Sequence, residues 1–70
     1  MSEAIERIVG AYVKLSNRMA LEDMKIHRQR LASEIKSAPR LDLSWSIKQL
    51  DDEIAVIDAG LAKLNAAAAA

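Results

Sequence analysis

The stretch SAPRLDLSWS, residues 37–46, decides the fold of this 70-residue chain because it is the only place where the sequence forces a bend. It contains the sole proline, Pro39, which disfavours helical geometry at the residue before it and so predicts that a helix ends here. Asp42 and Ser44 follow, and both are residue types that cap the start of a helix. The sequence therefore predicts two helices joined by a turn at residues 38–43.

On the N-terminal side of the turn, the first predicted helix runs over residues 2–37, because only Gly10 interrupts good helix formers. Its length would be about 54 Å. On the C-terminal side, the second helix covers about residues 44–65, and the alanine tail at 66–70 is open to helix or frayed coil. We predict a single all-α domain over residues 1–70, folded as an antiparallel hairpin of two helices.

The second helix carries an unbroken heptad pattern of apolar residues, spaced alternately four and three residues apart. This seam consists of Leu43, Ile47, Leu50, Ile54, Ile57, Leu61 and Leu64. Gly60 flanks the seam and either permits a close helix approach or simply costs stability. The second helix is acidic and the first is basic, so folding them together places opposite charges along the edges of their shared seam.

The first helix carries large apolar side chains over more than half of its circumference. One interpretation divides them into two seams, which need two neighbouring helices, and the other is a single broad face whose axis drifts along the helix. We favour two seams, one strongest in the N-terminal half and the other in the C-terminal half. The first comprises Ile5, Ile8, Tyr12, Leu15, Met19 and Ile26, and the second comprises Val9, Val13, Ala20, Met24, Leu31 and Ile35.

The unequal lengths of the two helices predict association between chains. A second helix folded back from the turn covers roughly residues 15–36 of the first helix, and leaves the apolar residues before residue 15 uncovered. A monomer rarely exposes an apolar patch of this kind. We expect a homo-oligomer, in the simplest case a dimeric four-helix bundle and otherwise a higher coiled-coil assembly, and another helical protein is a further possible partner. The predicted interface comprises Ile5, Ile8, Val9, Tyr12, Val13, Leu15 and Met19.

Five basic residues of the first helix fall on one stripe of a helical wheel, which could follow the phosphates of a nucleic acid. They are Arg7, Lys14, Arg18, Lys25 and Lys36. A solvated face is the simpler interpretation, because the net charge is zero and no aromatic cluster accompanies the stripe. A small dimeric nucleic-acid-binding regulator is therefore the alternative function, and we do not expect nucleic acid as a partner.

Trp45 lies at the start of the second helix, on the side away from the heptad seam, and Val56 lies on roughly the same side three turns on. Tryptophan is a residue type that often anchors protein interfaces. Trp45 therefore either plugs the end of the bundle or, with Val56, anchors another protein.

The sequence predicts no enzymatic activity, no metal site and no cofactor. Asp23 and His27 are four residues apart and could form a general-base pair, but a polar layer between the seams explains them better. With no cysteine and one histidine, the ligands of an ordinary zinc site are missing. No apolar run reaches the roughly 18 residues of a membrane span, and we see no secretion signal, so a soluble cytoplasmic or virion-associated protein is expected.

The segment AYVKL at residues 11–15, followed by charged helix, a turn and a Leu/Ile heptad helix, resembles small uncharacterised helical-hairpin proteins of tailed bacteriophages. Those proteins usually have an Arg after the Leu and a charge-rich middle, whereas this chain has Ser16 and the bend at Pro39. The resemblance implies a phage virion or accessory role and brings no catalytic residue. We expect a non-enzymatic structural or protein-interaction module that acts through helical oligomerisation.

Overall fold

The computed structural model of the chain describes residues 3–37 and 43–69, and over these residues the chain is all-helical. The helices are α1 at Glu3–Lys14, α2 at Arg18–Lys36 and α3 at Ser44–Ala69. The predicted all-α class is confirmed, but the two-helix hairpin is wrong, because the first predicted helix is divided in two. The predicted helix start at Ser2, residues 38–42 of the predicted turn and Ala70 lie outside the described residues.

Local hydrogen bonds stabilise the break between α1 and α2, both at the end of α1 and at the start of α2. Ser16 has a φ of 52°, in the left-handed region that residues other than glycine seldom adopt. The amide of Asn17 donates to the carbonyl oxygen of Tyr12 at 2.9 Å, and the amide of Ser16 donates to that of Val13 at 3.0 Å, which is the Schellman pattern of a helix end. Oδ1 of Asn17 then accepts from the amide of Ala20 at 3.2 Å and caps α2.

Two substitutions at the break should change stability in opposite directions. Asn17→Ala removes the cap of α2 and should lower the free energy of unfolding by about 1 kcal/mol. Ser16→Gly should raise it by about 0.5–1 kcal/mol, because glycine adopts a positive φ without the steric cost of a Cβ atom. Urea unfolding followed by circular dichroism measures both. A loss of stability in Ser16→Gly would contradict the break, since glycine destabilises the interior of a continuous helix.

α2 and α3 pack side by side in opposite directions. Nζ of Lys25 lies 2.7 Å from Oδ1 of Asp58, and Nε of Arg28 lies 2.8 Å from Oε1 of Glu53, so residue numbers rise along one helix as they fall along the other. These are ion pairs of the kind that the charge pattern predicts. All members of the heptad seam on α3 are buried or half-buried, and α3 continues through the alanine tail as far as Ala69.

α1 lies against the C-terminal half of α3. Val9 and Val13 are the nearest side chains to Gly60, and Ser16 shares a hollow with Leu64 and Ala67, so α1 and α3 run in the same direction. All three helices contribute to one core. Its buried members are Ile5, Val9, Leu21, Ile57 and Leu64.

The N-terminal end of the first predicted helix is covered by its own chain. Ile5 and Val9 are buried, and Tyr12 and Val13 are half-buried against the same cluster. The prediction that the hairpin leaves these side chains uncovered is therefore wrong, because the break at Ser16 lets α1 turn back and supply a third helix. Self-association itself stays a prediction.

Candidate functional site

The groove between α2 and α3 is longer than the helix that lies in it. α1 has 12 residues and α2 has 19, which correspond to about 18 Å and 28 Å of helix. α1 lies beside the C-terminal half of α3. Among residues 3–37 and 43–69, the part of the groove that α1 leaves uncovered is therefore at the other end of the bundle, where α2 ends and α3 begins.

This uncovered part, which we call the open groove, has a volume of about 290 Å³. Its apolar lining comes from Leu31 and Ile35 on α2 and from Leu50 on α3, and its polar lining is Ser46, Gln49 and Glu53. Leu31 is 39% exposed, although it is a large apolar residue. The open groove thus presents an apolar surface to solvent with hydrogen-bonding groups at its margin.

The open groove continues the surface on which α1 packs. Met24 and Val56 are partly buried against the core cluster that α1 enters. Leu31 follows Met24 by seven residues, and Gln49 precedes Val56 by seven residues. Residues seven apart in a helix lie nearly two turns apart on the same face. A helix placed in the open groove would therefore pack on the same faces of α2 and α3 as α1 does.

Trp45 stands on α3 at the same end of the bundle. It is 73% exposed, so the interpretation in which it plugs the end of the bundle is wrong. Trp45 precedes Gln49 by four residues, which makes the two side chains neighbours on the surface of α3. Val56, predicted to share the exposed side of Trp45, is instead half-buried against the core. Trp45 therefore lies beside the open groove as an exposed residue, and Val56 does not form an exposed surface together with it.

Three of the seven predicted interface residues are exposed. They are Ile8, Leu15 and Met19, with Leu15 at 72% and Met19 at 73%. Met19 shares its face of α2 with Ile26, seven residues on, and this face points away from the ion pairs that join α2 to α3. Charged residues lie between Met19 and Ile26, so this face is not a continuous apolar surface.

The five residues of the predicted basic stripe do not lie on one line, because the break separates them. Arg7 and Lys14 belong to α1, and Arg18, Lys25 and Lys36 belong to α2. Nη2 of Arg7 lies 2.8 Å from Oε1 of Glu3, and Lys25 is paired with Asp58. Because two of the five charges already face carboxylates and the stripe is divided, this arrangement does not favour a track for phosphates.

A second depression lies between α1 and α3, with no lining residue from α2. Its volume is about 520 Å³. Small and apolar residues form most of the lining, and they are Val9, Gly10, Val13, Val56, Ala59 and Gly60. The charged lining residues are Glu6, Lys14 and Lys63. We call this surface the α1–α3 cleft.

The polar residues of α2 do not form a buried layer. Asp23 and His27 are both exposed, and no polar or charged residue is buried among those described, so the polar layer predicted between the seams is wrong. Residues 3–37 and 43–69 contain no group of three His, Cys, Asp or Glu placed to hold a metal ion. None of the helices described is both long enough and apolar enough to cross a membrane.

Comparisons with known proteins do not relate this chain to a family. No family model matches it, and searches of curated proteins and of solved structures gave no match. The surfaces described above are therefore the basis for inferring a function.

The open groove was not predicted from the sequence. The sequence pattern places Leu31 and Ile35 in the second apolar seam of a long first helix, and Leu50 in the heptad seam of the second helix. The signal that could have revealed the groove is the pair Ser16 and Asn17, since asparagine is a preferred helix cap. A helix that starts at residue 18 frees residues 3–14 to form a third, shorter helix, which covers only part of the groove.

Proposed function

We propose that the chain is a non-enzymatic protein-interaction module whose open groove binds an amphipathic helix of another protein. The observation that carries this proposal is the apolar groove that continues beyond α1, with Trp45 exposed beside it. Since α1 is itself a helix packed by apolar side chains on the same faces of α2 and α3, the groove favours a helix as its occupant. Helices bound in grooves are a common mode of protein recognition.

The lining of the open groove suggests the chemistry of the partner. A bound helix would place apolar residues at positions i, i+3 or i+4, and i+7 against Leu31, Ile35 and Leu50. Complete burial of one large apolar side chain, such as a leucine of the bound helix, contributes about 1.5–3 kcal/mol to the free energy of binding. Trp45 would pack on the flank of the bound helix, and Ser46 and Gln49 would offer hydrogen bonds at the margin.

The other functional predictions are compatible with this proposal in part. A structural or accessory role in a phage virion, which the resemblance implies, would use such a docking surface. Homo-oligomerisation through the predicted interface would have to use Ile8, Leu15 and Met19, because Ile5 and Val9 lie in the core. A nucleic-acid-binding regulator stays the alternative, although the divided stripe gives it little support.

A library of helical peptides tests the proposal. Peptides with randomised apolar faces are displayed on phage and selected against the wild-type chain, and the selected peptides are synthesised. Trp45 is the only tryptophan in the chain, so tryptophan-free peptides can be titrated by its fluorescence. We expect the emission to shift to shorter wavelength on binding, and Leu31→Asp to weaken binding roughly tenfold or more. Trp45→Ala removes the fluorophore, so its binding is measured by isothermal titration calorimetry beside the wild type, and it should be weakened to a similar extent.

Met19→Asp is the control, because it makes the same change as Leu31→Asp on another face of α2, at an apolar residue as exposed as Trp45. It should leave peptide binding unchanged. If the selected peptides bind all variants equally, or if selection gives no peptide whose binding depends on Leu31, the open groove is not a helix-binding site. Binding of duplex DNA or RNA at physiological salt, lost when Lys14 and Arg18 are changed to Gln, would support the alternative function instead.

A further inference from the structure

We infer that the α1–α3 cleft binds the same cleft of a second copy of this chain, with the two α1 helices antiparallel and crossing at Gly10. This surface does not include the open groove, so the inference does not depend on the function proposed above. It shares Val9 and Val13 with the interface predicted from the sequence, but it is centred on Gly10 and includes residues of α3, which that interface does not.

Gly10 marks the point of closest approach. It lies within α1, where glycine destabilises a helix relative to alanine. A Cβ atom built on Gly10 would meet nothing within 4 Å, so the packing of a single chain does not require glycine at this position. The missing side chain leaves the backbone of α1 open at the cleft, where the backbone of another helix can approach closely.

The charges on either side of Gly10 form a pattern that is complementary to the same pattern in a second, antiparallel copy. Glu6 precedes Gly10 by four residues and Lys14 follows it by four residues, and all three line the cleft. Each charge is therefore about 6 Å along the helix axis from Gly10, in opposite directions. When two α1 helices cross antiparallel at this residue, each Glu6 faces Lys14 of the other copy. Glu6 also makes an interaction within its own chain, and a carboxylate can accept from more than one donor.

A second copy fits this pattern better than an unrelated partner does. A two-fold dimer uses the same patch on both chains, so the patch has to complement itself. The α1 side of the cleft meets this condition, because Glu6 and Lys14 lie equally far from Gly10 in opposite directions. Lys63 lines the same cleft from α3 and adds a second cation for the Glu6 of the other copy.

Exchanging the charges tests the inference. Sedimentation equilibrium of the whole chain gives the dimer dissociation constant. We expect a dimer for the wild type, and we expect Lys14→Glu to raise its dissociation constant roughly tenfold or more, since two like-charge contacts replace two ion pairs. The double variant Glu6→Lys with Lys14→Glu should restore the constant to near the wild-type value, because the exchange recreates both pairs. An exchange of Arg30 and Glu34, exposed on α2, should leave it unchanged.

A change at Gly10 separates assembly from folding. Gly10→Leu should abolish dimerisation because its side chain would occupy the crossing point, while the helix content measured by circular dichroism is retained. Leu31→Asp, in the open groove, should not affect the dimer. The inference is wrong if the wild type is a monomer up to several hundred micromolar, a range in which weak specific dimers are populated. It is equally wrong if the double variant dimerises no better than Lys14→Glu.

Discussion

Leu21→Ala should lower the free energy of unfolding by about 2–5 kcal/mol, whereas Met19→Ala should change it by less than about 0.5 kcal/mol. Leu21 is completely buried, in contact with the cluster that joins all three helices, and Met19 is 73% exposed. The two residues are close in volume and two positions apart on the same helix. They therefore form a matched pair in which burial is the main difference.

This contrast tests the three-helix fold directly. In a continuous first helix, Met19 belongs to an apolar seam and Leu21 belongs to neither seam, so the two effects would be reversed. Guanidinium unfolding of the wild type and of both variants supplies the free energies. If Met19→Ala is the more destabilising change, the break at Ser16 is absent and the bundle described here is wrong. For a domain of this size the loss in Leu21→Ala could exceed the whole stability, in which case the variant would be unfolded in buffer.

The parts of the fold that could be predicted are those encoded by local, periodic patterns. The heptad seam of α3 places Ile57 and Leu64 in the core, as observed, because a regular helix without interior breaks keeps its register over many turns. The opposite charges of the two predicted helices likewise predict ion pairs such as Arg28–Glu53, which joins α2 to α3. Both inferences needed only the spacing of residues within one helix.

The apolar and charge patterns do not encode the break at Ser16 and Asn17, whose local signal is the preference of asparagine for the start of a helix. Both residues are tolerated within helices at a modest cost in propensity, and neither glycine nor proline marks the position. Without the break, residues 3–14 and 18–36 are placed on one continuous helical wheel, and residues of one part are assigned to the wrong face relative to the other. Leu21 then falls in neither seam, and Ile5 and Val9 are left without a neighbour. The inferred need for a second chain followed from that error in register.

The same error hid the candidate functional site. A long first helix would cover the second helix along its whole length, so Leu31 and Leu50 would be expected to be buried between the two helices. Trp45 was correctly placed on the side of α3 away from the heptad seam, because that inference depends on one helix alone. Whether its ring is covered depends on the neighbouring helices, and the pattern of α3 does not contain that information.

The two glycines of the chain lie within helices and should respond to alanine in opposite directions. A Cβ atom at Gly60 would lie 2.5 Å from Cγ1 of Val9 and 3.3 Å from Cγ2 of Val13, whereas a Cβ atom at Gly10 meets nothing within 4 Å. We expect Gly60→Ala to destabilise the chain by about 1–3 kcal/mol, because α1 must move away from α3. Gly10→Ala should stabilise the folded monomer by about 0.5–1 kcal/mol through helix propensity.

Thermal unfolding at low micromolar concentration separates these effects from any contribution of a dimer. A change of 1 kcal/mol moves the midpoint by about 4–8 °C in a domain of 60–100 residues, so the two variants should differ clearly. The double variant Gly60→Ala with Val9→Ala locates the cause. It should lose less stability than the sum of the two single changes, because the truncated Val9 makes room for the added methyl group. A higher midpoint for Gly60→Ala alone would mean that α1 does not lie against Gly60, since only the contact with α1 opposes the gain in helix propensity there.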